Sequence, residues 1–225
     1  MSGDERVAEG VEALYPFLYS GAGGQDAVLK EATRSTAEKV REVVALRDRV
    51  LEEDAGRLAT CARDMARCFA SGGKLLAFGN GGSSTDAQDV AATFLHPGDG
   101  GRPVPAVSLT NDIAVVTALA NDIGFDVVFA RQIAAFGRTG DVAMGLSTSG
   151  NSENLVRAFD EASRRGLVTV GLAGYEGGKM AELDTIDHLF VVPSASVHRI
   201  QEVQTTVYHV LWELTQRALS EQAAV

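Results

Sequence analysis

The sequence has little that would fit it for life outside a cell or for binding a polyanion. Only two of its 225 residues are cysteine, Cys61 and Cys68, within one helical pattern. Two thiols make no disulfide framework, so both read as core residues of a protein in a reducing compartment. Basic residues are also short: 20 Lys and Arg stand against 30 Asp and Glu, a net charge of −10. Nucleic acids and anionic membrane surfaces need a basic footprint, and neither is expected as a partner. No apolar run reaches the ~18 residues of a membrane span. The start, MSGDERVAEG, has neither the basic nor the apolar region of an export signal. A cytoplasmic setting is expected.

What is present is 45% hydrophobic residues, enough for a sizeable core. Residues 1 to 25 read as a short helix ending in the glycine-rich SGAGGQDA. From about Gln25 to Ala70 there is no proline, and Val40, Val43, Val44, Leu46, Val50, Leu51, Leu58 and Met65 recur at helical spacing. That pattern predicts one or two long helices. The division expected is a helical arm over 1–70 and a domain over 71–225 that ends in a helix.

After Ser71-Gly72-Gly73 a rhythm begins. Short apolar runs at 74–78, 104–109, 141–147, 167–173 and 187–192 alternate with helical patterns at 83–95, 112–137 in two pieces, 152–165, 178–183 and 198–220. Continuous rather than alternating apolar strands between helices predict a parallel sheet buried on both faces. The fold class is α/β, a doubly wound five-stranded sheet of flavodoxin-like type, whose ligands bind beyond the carboxyl ends of the strands.

Two strand ends carry glycine- and serine-rich turns. Gly79-Asn80-Gly81-Gly82-Ser83 follows the first, and Ser147-Thr148-Ser149-Gly150-Asn151-Ser152 follows the third. Free N–H groups at a helix N-terminus and small side chains suit a bound anion such as a phosphate. Ser152 equally suits a helix cap. Position 84 is serine, which breaks a dinucleotide-binding Gly-x-Gly-x-x-Gly, and no Gly-Lys-Ser/Thr follows to make a nucleotide P-loop. A small sugar phosphate fits better. Asn111 and Asp112, after the second strand, can bond sugar hydroxyls, or Asp112 can cap the next helix. On the last helix Gln201, Thr205 and His209 share one face. An apolar stripe of Ile200, Val203, Val207, Leu211 and Leu214 lies on another.

The segments FGNGGSSTDAQ, STSGNSENLVRA, GGKMAELDTID and VPSASVHRIQEVQTTVYH together resemble the sugar isomerase (SIS) domain of phosphoheptose isomerases, in order and spacing, from about residue 30 to 218. The resemblance implies a homotetramer with sites between subunits and aldose–ketose isomerisation of sedoheptulose 7-phosphate, or a related sugar phosphate, through an enediol. It implies that Asn80, Gly81, Gly82, Ser83, Ser147, Thr148, Ser149 and Ser152 bind phosphate, that Asn111 and Asp112 hold the sugar, and that Gln201 and His209 lie at the reacting carbons. Many members carry a histidine and a glutamate on the helix after the first turn, the glutamate as base and both as zinc ligands. Here DAQDVAAT puts Asp89 and Thr93 at those places. Threonine is no general base at neutral pH, so Asp89 is the candidate base with His209 as acid. Gln201, His209 and Asp89 are what remains of a zinc set. The alternative is a phosphosugar-binding or regulatory protein without turnover, acting through a protein partner.

Overall fold

The computed structural model describes residues 25–98 and 100–223, and the short helix expected in the first 25 residues lies outside them apart from Gln25. Helix α1 runs unbroken over Gln25–Ala70. Two compact units divide within it, one ending at Val44 and the other beginning at Ala45.

The second unit alternates strand and helix: β1 Leu75–Gly79, α2 Gly82–Leu95, β2 Ala106–Ser108, α3 Ile113–Asp122, α4 Val128–Phe136, β3 Val142–Leu146, α5 Glu153–Arg164, β4 Val168–Gly174, β5 His188–Val192 and α6 Val197–Ala223. Single 3₁₀ turns precede α4 and follow β4, the latter where a short helix was expected. All strands are parallel in the order β2-β1-β3-β4-β5, with Leu75 beside Val142 and Val142 beside Val168. β1 and β3 are buried at every position, which is why their sequences are apolar without alternation. Edge strand β2 has three residues where six were expected. Pro103 and Pro105 lack the N–H that would extend its ladder.

Phe78 packs its ring against Phe129 and Phe159, centroids 5.5 and 5.3 Å away. Gly145 makes that packing fit, because a Cβ there would stand 2.5 Å from Phe159. At the amino end of the sheet the Asp141 carboxylate, 5% exposed, accepts the N–H groups of Lys74 (2.9 Å) and Arg138 (2.8 Å) and pairs with the Lys74 ammonium. Removing it leaves two backbone donors and a half-buried cation without their acceptor. Asp141→Ala is therefore expected to cost about 3 kcal/mol, a fall in melting temperature of roughly 10 °C. A thermal melt within 2 °C of the parent would show that the clamp contributes little.

The order of strands places a topological switch between β1 and β3. Chain connections leave those two strands in opposite directions, so the turns that follow them stand side by side at the carboxyl edge. These are the two glycine- and serine-rich turns.

Candidate functional site

The turn after β1 enters α2 through Gly81, at φ 56°. Gly79 lies so close beneath it that a Cβ would stand 2.4 Å from the Ser83 carbonyl. The turn after β3 closes on its own hydroxyls: Ser147 Oγ accepts from the N–H of Gly150 at 3.0 Å, and Ser149 Oγ from that of Asn151 at 3.2 Å. Ser152 occupies the N-cap position of α5 but makes no capping hydrogen bond. Its hydroxyl lies 3.5 Å from that of Ser147 instead. The two turns are joined by a reciprocal amide pair, Asn80 and Asn154, each donating to the other at 2.9 Å.

Between the turns lies a cavity of about 100 Å³ lined by Asn80, Ser83, Leu146, Ser147, Thr148, Ser149 and Ser152. Hydroxyl and amide groups dominate it, and two helix N-termini, those of α2 and α5, meet around it. Each such end carries roughly half a positive charge. A small tetrahedral anion suits this space, and no lysine or arginine lines it. A wider cleft of about 730 Å³ adjoins Ser149 and Asn151 on the side of β4 and β5, with Tyr175, Glu176, Pro193 and Ser194 on its walls.

Asn111 and Asp112 stand at the end of β2, on the far side of β1 from the second turn. Asp112 caps α3, accepting from the N–H groups of Ala114 and Val115 at 3.1 Å each. Asn111 is exposed. Ser84, on α2, donates to Thr110 at 2.8 Å and connects this strand end to the first turn.

Helix α6 packs along α2, and the pairing runs from one turn to the next. At the start, Gln201 lies over Gly82, where a Cβ would stand 2.2 Å from its Nε2. Two turns further, the Tyr208 hydroxyl donates to Asp89 Oδ2 at 2.7 Å, and His209 Nε2 stands 3.8 Å from the same oxygen. The other ring nitrogen, Nδ1, is 2.8 Å from the Thr205 carbonyl. A carbonyl only accepts, so Nδ1 carries hydrogen and Nε2 has the free lone pair in the neutral ring. Thr93 is half-buried one turn beyond Asp89.

Asp86 lies one turn before Asp89 on the same helix. Its Oδ2 is buried without a hydrogen-bond partner. Burial, then the neighbouring Asp89 charge, pushes its carboxyl up to about 6. Burial, and then the bond to Asp89, pushes the Tyr208 phenol well above its ordinary value, so it is a donor throughout the working range of pH. His198 and His96 are exposed, and His188 pairs with Asp64 at 2.9 Å.

The residues do not fit zinc. Catalytic zinc takes three ligands from imidazole, thiolate and carboxylate. Asp89, Gln201 and His209 supply one carboxylate, one amide and one imidazole, and position 93 adds only a hydroxyl. The Asp89 oxygen nearest the imidazole already accepts from tyrosine. No cluster of three His, Cys, Asp or Glu side chains suited to a metal occurs among the described residues.

Three participants went unread in the sequence. Asn154 sits inside a helix start whose serines drew attention. Tyr208 adjoins His209 at a position that packs inward. Asp86 carried one usable signal, a second carboxylate at i, i+3 from Asp89, which places both on one helix face.

The SIS domain family model matches residues 40–174. A phosphoheptose isomerase of Nitratidesulfovibrio vulgaris is 44% identical over 193 residues, covering 85% of this chain and 92% of the other. Among solved structures, phosphoheptose isomerase GmhA from Neisseria gonorrhoeae superposes with a TM-score of 0.74 at 36% identity over 84% of this chain and 99% of that one. A phosphoheptose isomerase from Francisella tularensis gives a TM-score of 0.74 at 30% identity, over 84% and 98%.

Proposed function

Because the chain belongs to the SIS domain family and, within it, to the phosphoheptose isomerases, we propose that it interconverts sedoheptulose 7-phosphate and the corresponding aldose phosphate. The observation that carries this reading is a carboxylate and an imidazole 3.8 Å apart on two helices that flank a phosphate-sized cradle. An aldose–ketose isomerisation needs such a pair and no redox partner.

The phosphate is held by the two turns, through the hydroxyls of Ser83, Ser147, Thr148, Ser149 and Ser152, the Asn80 amide and backbone N–H groups at Gly81 and Gly82. Asn111 and Asp112 meet the sugar hydroxyls, and Gln201, anchored over Gly82, turns its amide to the chain. Asp89 takes a proton from the carbon beside the carbonyl. The C–H electrons form the enediol double bond, and the carbonyl oxygen takes a proton from Nε2 of His209, which enters the reaction as the imidazolium with Nδ1–H still held by the Thr205 carbonyl. The proton on Asp89 then passes to the former carbonyl carbon, and the neighbouring hydroxyl returns its proton to Nε2. Atoms and charge balance with both groups restored.

A homotetramer in the cytoplasm belongs to the same proposal. Val28, Leu29, Val40 and Val44 are exposed along α1, which supports an assembly role for the arm over 1–70. No described helix is long and apolar enough to cross a membrane.

Proton NMR of the protein with sedoheptulose 7-phosphate in deuterated water tests the activity. The expected result is an aldoheptose 7-phosphate carrying deuterium beside the carbonyl. No product and no exchange, with the melting temperature still raised by the sugar phosphate, would favour a binding protein that has lost turnover with its glutamate.

A further inference from the structure

We infer that Tyr208 is a positioning residue of this reaction: its hydroxyl aims the Asp89 carboxylate, and its ring seats His209, so that the two work as one proton-handling pair with no metal between them. The inference rests on the proposed isomerisation. It goes beyond it in naming a residue that neither the phosphate cradle nor the acid–base pair contains.

Three observations meet at Tyr208. The residue is 2% exposed, so its ring has one place to be. The hydroxyl reaches out of that packing to Asp89 Oδ2 at 2.7 Å, the same oxygen that faces His209. Its ring lies against the imidazole, centroids 4.8 Å apart and planes 38° apart, so one buried side chain orients both members of the pair. Asp89 needs such help, because its side chain is 51% exposed and otherwise free among rotamers. A buried aromatic with a polar tip gives direction at small entropic cost.

The bond also decides what Asp89 cannot do. With the phenol donating to the oxygen nearest the imidazole, that edge of the carboxylate is committed to a proton donor and is a poor seat for a metal ion. The titratable groups facing the pair are Asp86 on α2 and Tyr208 on α6. Tyr208 remains a neutral donor, while Asp86 ionises near pH 6 and adds negative charge beside Asp89, which favours its proton-accepting role above that pH.

Tyr208→Phe keeps the ring and removes only the hydroxyl. On sedoheptulose 7-phosphate the variant is expected to lose about ten-fold in kcat with KM within two-fold. A lower melting temperature with kcat unchanged would make Tyr208 a core residue only, and would overturn the inference. If the parent shows no turnover, the isomerase reading fails by itself, and the pairing is still read in substrate-free protein. There the His209 ring resonances in Tyr208→Phe should move towards their positions in Asp89→Asn, the carboxylate having swung away. Unmoved resonances overturn the positioning role. Should Tyr208→Phe not fold, Asp89→Asn on its exposed side chain must move the same resonances, and failure to do so removes the pair. A melting temperature raised by zinc in the parent but not in Asp89→Asn would overturn the metal-free arrangement.

Discussion

Asp89→Asn is expected to lower kcat on sedoheptulose 7-phosphate by about 10³-fold, within the range of a lost general base, while KM stays within two-fold. That factor corresponds to about 4 kcal/mol of barrier. The substitution is close to isosteric, and its amide oxygen still accepts from the Tyr208 hydroxyl, so geometry is retained and only basicity is lost. On the proposed reading affinity is set by the cradle, whose lining does not include Asp89, and should not follow. Stability should not follow either, since the side chain is about half exposed and exposed substitutions cost within about 0.5 kcal/mol. Steady-state kinetics with a melting curve on the same sample checks all three. A loss of less than five-fold would remove Asp89 as the base. Asp86 would then be the next carboxylate to replace, because burial and the Asp89 charge push its carboxyl up to about 6 and it lies one turn from Ser83 on the same helix.

The choice between these carboxylates shows where sequence stopped informing. Strand and helix positions were legible because burial on both faces forces continuous apolar runs, and the five runs match the five strands in place. Pro103 stands just before the second run and Pro105 within it, and the missing N–H groups shorten the strand to three residues. The cradle was legible because its chemistry is local: hydroxyls, glycines and helix starts lie within six residues of each other. Ser152 left two roles open, and only the direction of its hydroxyl, towards Ser147 rather than its own helix, separates them. The proposed acid–base centre was half legible. Asp89 and His209 lie 120 positions apart, and nothing local says that α6 runs alongside α2 in a register placing Tyr208 between them. A tyrosine in a helix of apolar spacing reads as core, which it also is.

Gly150 carries the second large effect, through the frame of the cradle rather than its chemistry. Its φ is +66°, and a Cβ there would stand 1.9 Å from the Gly177 carbonyl oxygen, 2.5 Å from its carbon and 3.1 Å from the Gly178 nitrogen. All three are backbone atoms, so no side chain can rotate away. The loop after β4 is itself fastened to the turn: the Met180 N–H donates to the Gly150 carbonyl at 3.0 Å, and that of Lys179 to Asn151 Oδ1 at 3.0 Å. Gly150→Ala must therefore separate two strand-end loops or twist the serine turn out of place. Left-handed backbone alone costs alanine about 1 kcal/mol. With the enforced separation the loss is expected on the order of 3–5 kcal/mol. Sugar phosphate affinity should fall by about 100-fold, because Ser147, Ser149 and Ser152 no longer converge. Gly81→Ala is the control: φ is +56° there too, but nothing lies within 4 Å of the added carbon. In stability it should lose only the conformational cost of about 1 kcal/mol. Urea unfolding with calorimetric titration of sugar phosphate separates the two variants. If Gly150→Ala matches Gly81→Ala in stability and keeps the parent's affinity, the loops are not locked together, and the cradle owes its shape to the reciprocal pair of Asn80 and Asn154 instead.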